Sequence, residues 1–176
     1  MLILRDALMA AVLLGAVMTF GDFVWSAMRL PHRVAYGIAH GAVMCLCLGL
    51  VIGWRTQRVA AGALAGPLIG VVAALTFYAL APWLRYSAML PAWMLFWILF
   101  AVLQQRLSRQ GRARDAALRG LAAAALSGLA FYAISGIWTK PAADTNYLVN
   151  LAAWTFAFLP GFAALFARMG TATFSE

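Results

Sequence analysis

Asp22 and His40 are ionisable side chains inside long apolar runs of this chain, where they could bind a polar group or transfer a proton. A charged side chain at the centre of a membrane helix costs at least about 2.5 kcal/mol unless it is paired or hydrated. Histidine changes its charge near neutral pH, so a carboxylate beside an imidazole could hold a polar ligand or relay a proton. At their depth the chain offers no further nucleophile, base or metal cluster, so we expect no catalytic residues and no enzyme.

The two residues are predicted to lie on neighbouring helices at similar depths. Asp22 is about five residues from the end of the first predicted helix, and His40 is about seven residues into the second. At a rise of 1.5 Å per residue, both lie roughly 8–10 Å from the same side of the membrane. Consecutive membrane helices run antiparallel, so a contact between Asp22 and His40 is geometrically easy. We predict that this pair anchors the polar head of a ligand.

Other polar and aromatic residues are predicted to complete that site. Tyr36, Tyr132 and Asn150 would support the head, and Trp97 and Trp154 would contact an apolar tail. The alternative is that these side chains form ordinary interhelical hydrogen bonds, worth about 0.6 kcal/mol each, and core packing. The sequence leaves both interpretations open.

Histidines and cysteines do not indicate a bound cofactor. His32 and His40 lie on or beside one helix, whereas a haem held by two histidines between helices needs a ligand on each. Cys45 and Cys47 are two residues apart, so they point to different faces of a helix and are predicted to be apolar packing residues. Asp22, His32 and His40 would make only a loosely placed metal set. We therefore expect no cofactor and no metal.

The elements that must position these residues are long apolar helices. Apolar residues make up 65% of the 176-residue chain and charged residues 10%, against about 45–50% and about 25% in soluble domains. About 20 apolar residues span a hydrocarbon core, and a helix satisfies its own backbone there. The sequence predicts an all-α polytopic membrane protein with six transmembrane helices in a single domain, residues 1–176. The predicted spans are residues 7–28, 33–53, 59–81, 87–104, 116–138 and 147–168.

Prolines and glycines give local detail to these spans. Pro67 and Pro160 fall inside predicted helices, and we expect each to kink its helix. Gly66 and Gly161 stand beside them and are predicted to let neighbouring helices approach closely. Pro82 and Pro91 are predicted to bracket the third connection, because proline cannot donate a backbone hydrogen bond inside a helix.

Basic residues are distributed unequally between the two sides of the predicted membrane. Nine of the 13 lysines and arginines fall on one side and four on the other, which places both termini and the 105–119 loop in the cytoplasm and the chain in the inner (plasma) membrane. The net charge of +8 lies at helix ends, where anionic lipid head groups lie. We therefore expect membrane lipids as partners and no nucleic acid. The nine are Arg5, Arg55, Arg58, Arg106, Arg109, Arg112, Arg114, Arg119 and Arg168.

The second half of the chain carries four features that occur together in a known family. They are the basic loop Arg106–Gly111, the aromatic and glycine-containing run Phe131–Trp138, the series Asp144, Tyr147, Trp154 and Pro160, and the basic-glycine end Ala167–Gly170. In these features the chain resembles the Insig family of six-helix membrane proteins, whose termini face inward. The resemblance covers about 80 residues from Leu90 onward. It implies a central cavity for a lipid-like molecule and a regulatory, non-enzymatic protein.

Three functions remain open from the sequence. The first is an integral membrane protein that binds a lipid-like or amphipathic small molecule in an intramembrane cavity, with a regulatory or sensing role. The second is a small proton-coupled transporter or permease that uses Asp22 and His40 as a relay, although one carboxylate and no evident inverted repeat make a poor pathway. The third is an accessory subunit that assembles with a membrane protein partner.

Overall fold

The computed structural model describes residues 2–28, 32–134 and 147–167, and these are helical apart from short connections. The helices are α1 (Leu2–Met28), α2 (Arg33–Arg55), α3 (Val59–Leu84), α4 (Met89–Ser108), α5 (Ala113–Ile134) and α6 (Tyr147–Phe166), with a 3₁₀ turn (Arg85–Ala88) before α4. No strand occurs within the described ranges. The predicted all-α fold with six helices is confirmed.

Five of these helices are long and apolar enough to cross a membrane, which identifies a multi-pass membrane protein. α5 carries Arg114, Asp115 and Arg119 in its first two turns, and its described part is not among the helices that are long and apolar enough to span a membrane. It nevertheless packs between α4 and α6 along its length. The five candidate spans are Leu4–Val24, Val34–Arg55, Val59–Leu84, Met89–Ser108 and Tyr147–Phe166.

The helices follow one another around the bundle in chain order. Each of α2 to α5 packs against the next helix in the chain, and α1 closes the bundle by packing extensively on α6. The contact of α1 with α2 is much smaller. The first helix is therefore attached mainly to the last one, and its seam with α2 is sparsely packed.

Glycines bring α2 and α3 into backbone contact. A Cβ atom at Gly49 would meet the carbonyl oxygen of Gly62, and one at Gly66 would meet that of Cys45. The glycines of α3 recur every four residues on one helix face, and on α2 the same spacing is kept when Cys45 is counted with the glycines. This small-residue spacing lets membrane helices approach closely. The glycines of this interface are Gly41, Gly49 and Gly53 on α2 and Gly62, Gly66 and Gly70 on α3.

Aromatic side chains fill the opposite half of the bundle. One stripe of α6 carries an aromatic residue every fourth position, at Trp154, Phe158, Phe162 and Phe166, and consecutive rings are 5.6–6.2 Å apart. Trp93 of α4 stacks on Phe158 at 5.3 Å. We call this set, together with Phe96, Trp97, Phe100 and Phe131, the aromatic column.

The prolines and their glycine neighbours fall largely where predicted. Pro67 and Pro160 lie inside α3 and α6, and Gly161 packs directly against the Trp97 ring. Pro82 and Pro91 are predicted to bracket the third connection, but α3 continues through Pro82 to Leu84. Pro91 lies in the first turn of α4, where its missing N–H is tolerated, and the 3₁₀ turn forms the connection.

Candidate functional site

The Asp22 carboxylate joins α1 to α6 near one end of the bundle. Trp154 donates its indole N–H to Asp22 Oδ2 at 2.7 Å, and Asn150 donates its side-chain amide to the same oxygen at 3.2 Å. Among the described residues, none donates a hydrogen bond to Oδ1. One carboxylate oxygen is thus held by the protein, and the other can accept a further donor.

Helix geometry explains why these three side chains meet. Asn150 and Trp154 are four residues apart, so they lie one turn apart on the same face of α6. Both are buried, whereas Asp22 is half-buried. Further along the interface, Gly15 lies against Thr155, where a Cβ would be 3.0 Å from its backbone nitrogen. Gly15 lets α1 approach α6 closely. Side chains from two successive turns of α6 can therefore donate hydrogen bonds to the Asp22 carboxylate.

The second helix reaches the same place through the residue before Asp22. The Tyr36 hydroxyl donates to the backbone carbonyl of Gly21 at 3.0 Å. The His40 imidazole packs against the Cα of Gly21, where a Cβ would collide with it. Tyr36 and His40 are parallel, with ring centroids 6.1 Å apart. The rings form one wall beside the carboxylate.

His40 therefore meets α1 differently from the predicted contact with Asp22. Among the described residues, the hydrogen bonds of the carboxylate go to α6, and His40 contacts α1 at Gly21. The two ionisable groups are still close enough to interact electrostatically. The structure places them at one site without a described ion pair between them.

Thr19 is a polar residue of this region that the sequence reasoning missed. Its side chain is fully buried, and its hydroxyl has no hydrogen-bond partner among the residues that the structure describes. Thr19 precedes Asp22 by three residues, so both lie on the same side of α1, about one turn apart. That spacing was visible in the sequence. The hydroxyl is a candidate second polar contact beneath the carboxylate.

The remaining predicted site residues separate into two groups. Trp97 is fully buried in the aromatic column and contacts Trp93 and Phe162 edge-on. Its indole N–H has no hydrogen-bond partner in the described part of the chain. It has no described contact with Asp22. The side chain of Tyr132 lies outside the described residues. Trp154, predicted as a contact for an apolar tail, instead directs its N–H to the carboxylate.

A second charged cluster stands at the opposite end of α1. Arg55, the last residue of α2, forms an ion pair with Asp6 and lies over the Phe166 ring, 4.3 Å from its centroid. Arg5 approaches the same carboxylate at 3.5 Å. The charges of Arg55 and Asp6 neutralise each other, and Arg55 also contacts Phe166. This cluster, which we call a tie, therefore connects α1, α2 and α6.

The side chains around Asp22 offer several kinds of polar contact. The Asp22 carboxylate accepts hydrogen bonds through Oδ2 from the neutral donors Asn150 and Trp154. The His40 imidazole and the Tyr36 phenol lie beside it, and the aromatic column adjoins it. Within the described residues, no group of three or more His, Cys, Asp or Glu side chains is placed to hold a metal ion. Comparisons with protein-family models, curated proteins and solved structures give no match for this chain.

Proposed function

We propose that this membrane protein binds a lipid-like or amphipathic small molecule within the membrane, with Asp22 as the contact for its polar head. The observation that carries the proposal is the carboxylate whose Oδ2 is fixed by Trp154 and Asn150 while Oδ1 accepts no described donor. A carboxylate at that depth is costly unless something pairs with it. A ligand with a hydrogen-bond donor would satisfy the second oxygen.

The surroundings support an amphipathic ligand. Tyr36 and His40 form a wall beside the carboxylate, and the side chains that continue from Trp154 along α6 are aromatic. Such a ligand would place its head at Asp22 and its apolar part against the bundle. Because these residues form no catalytic arrangement, we propose a regulatory or sensing role. The resemblance to the Insig family implies the same role and remains a prediction.

The location and partners follow from the arginine distribution. We propose that both termini face the cytoplasm from the inner membrane, because Arg55 and Arg119 lie at the same end as the α1 N-terminus and the α6 C-terminus. Lipids would contact the exposed apolar faces of the helices. A membrane protein partner remains a prediction of the sequence.

Native mass spectrometry of the detergent-purified protein, with identification of retained lipids, tests the proposal. We expect a retained amphiphile in the unmodified protein and at least about tenfold weaker retention in Asp22→Asn, because a hydrogen bond to a charged group contributes about 1.5–3 kcal/mol. Trp154→Phe should weaken retention because it removes the N–H that fixes Oδ2.

Trp97→Phe is the matched control, since Trp97 has no described contact with Asp22 and the change removes an indole N–H that has no described hydrogen-bond partner. It should leave retention unchanged. Equal loss of expression in Asp22→Asn and His40→Ala would indicate instead that both are structural. A pH-dependent flux in proteoliposomes that is lost in Asp22→Asn would replace the proposal with transport.

A further inference from the structure

The seam between α1 and α2 is joined at its two ends. At one end Gly21 contacts Tyr36 and His40, and at the other Asp6 pairs with Arg55. Between these ties lies a narrow apolar crevice that encloses no cavity, so an occupant would have to part the two helices. Its lining residues are Ala10, Leu13 and Leu14 of α1, Cys47, Leu48 and Val51 of α2, and Phe162 of α6.

This crevice and the Asp22 site are built by the same three helices. Asp22 lies where α1 meets α6 and α2, and the crevice lies further along the same meeting line. The rise from Leu14 to Asp22 is eight residues, about 12 Å along α1. A molecule with its head at Asp22 and an extended chain of that length would reach the crevice.

The charges at Asp22 indicate what the head would carry. Its two described donors, Asn150 and Trp154, are neutral, and no described lysine, arginine or histidine forms an ion pair with it. By contrast, the carboxylate of Asp6 is paired with arginine. The site at Asp22 therefore complements a group that brings both a positive charge and N–H donors.

We infer that the α1–α2 seam seats a single-chain amphiphile with a primary ammonium head on Asp22 and its chain in the crevice. This inference rests on the proposed function of the Asp22 site and adds the charge of the head and the position of the chain. A neutral alcohol of the same chain length would supply one donor without the charge. A fatty acid would be repelled by the carboxylate.

Cys47 provides a native reporter of the crevice. It is half-buried and lines the crevice, whereas the only other cysteine, Cys45, is fully buried. The experiment uses the full chain with Cys45→Ala in lipid nanodiscs and measures by mass spectrometry the rate at which a lipophilic maleimide labels Cys47. Hexadecylamine, hexadecanol and hexadecanoic acid are added separately, and retention of each is measured in parallel.

We expect hexadecylamine alone to protect Cys47. At ten times its dissociation constant, the labelling rate should fall about tenfold, because only about a tenth of the protein stays unoccupied. Asp22→Asn should abolish the protection. Asp6→Asn is the matched control, since it neutralises the carboxylate at the other end of the seam, and protection should persist.

Three outcomes would overturn the inference, and they can be told apart. Equal protection by the alcohol, or protection that survives Asp22→Asn, would show that the head charge does not matter. Retention of hexadecylamine that depends on Asp22 without protection of Cys47 would place the chain elsewhere and leave the proposed function intact. Absence of any Asp22-dependent retention, of these probes or of a native amphiphile, would reject the proposed function as well.

Discussion

The two sides of α2 are packed in opposite ways. Toward α3, glycines bring the backbones together, and Gly49 and Gly62 face each other with no side chain between them. Toward α1, the helix is joined by the side chains of Tyr36 and His40 at one end and Arg55 at the other, with the crevice between. One contact is made by backbone and the other by movable side chains.

This difference in packing indicates which pair of neighbouring helices can separate more easily. Lipid tails are as apolar as the helices, so close packing and polar contacts hold membrane helices together. The α2–α3 pair has continuous close packing, whereas the α1–α2 seam has two ties. Separating α1 from α2 would break few contacts, while α1 would remain attached to α6. The Asp22 site thus lies beside the part of the bundle that is easiest to open.

The largest loss of stability is expected from adding a methyl group to the α2–α3 interface. In Gly49→Ala the new Cβ would meet the carbonyl oxygen of Gly62 and lie 2.9 Å from the Cα of Gly66. Backbone atoms cannot move aside singly, so the helices must separate. Overpacking of this kind costs about 1–3 kcal/mol. The free energy of unfolding, measured in mixed micelles against a denaturing detergent, should fall by that amount.

Gly128→Ala is the control for this prediction. Gly128 also lies inside a helix, but the nearest atom to an added Cβ is Trp93 Cδ1 at 4.0 Å. Alanine should be neutral or stabilising there, since glycine inside a helix costs roughly 0.5–1 kcal/mol relative to alanine. Equal destabilisation by both substitutions would contradict the description of the α2–α3 interface as a close backbone contact.

Much of the fold could be predicted from the sequence because membrane solvent restricts the choices. The second helix was expected over residues 33–53 and occupies Arg33–Arg55, and the sixth was expected over 147–168 and occupies Tyr147–Phe166. Apolar length alone determines such bounds. The order of helices around the bundle could not be predicted in the same way. Every face is apolar, so hydropathy does not reveal that α1 packs mainly on α6.

The candidate site was predictable in part for a related reason. Asp22, His40 and Asn150 stand out because polar residues are rare in apolar runs, and the structure gathers them at one end of the bundle. Their partners depend on how each helix is rotated, which no pattern in the sequence specifies. The N–H of Trp154 therefore came as a new contact for Asp22. The spacing of Thr19 and Asp22 is visible in the sequence, but the burial of Thr19 depends on the rotation of α1 and could not be predicted.

A smaller loss of stability is expected from a glycine-to-alanine substitution in the α1–α2 seam. In Gly21→Ala the new Cβ would meet the imidazole of His40, the far end of a side chain that can rotate away. Displacing that ring from its rotamer costs about 0.5–1.5 kcal/mol. The unfolding free energy should therefore fall less than in Gly49→Ala.

Rescue distinguishes the two kinds of contact. The double variant Gly21→Ala with His40→Ala removes the obstacle, so the second substitution should restore most of the stability lost by the first. No side-chain truncation can restore Gly49→Ala in this way, because its obstacle is the backbone of α3. A Gly21→Ala defect that persists without His40 would mean that the α1–α2 contact is also a backbone contact.

The smallest effect on stability is expected at the Arg55 end of the α1–α2 seam, in the contact between Arg55 and Phe166. The guanidinium lies 4.3 Å above the ring, close enough for a cation–π interaction. At a partly exposed position this interaction contributes about 0.5–1 kcal/mol, so a double-mutant cycle of Arg55→Gln and Phe166→Leu should give a coupling energy of that size. The coupling should persist in Asp6→Asn, because the ring contact does not need the ion pair. If instead it disappears with Asp6, the carboxylate positions Arg55, and the ion pair and the ring contact form a single tie between α1, α2 and α6.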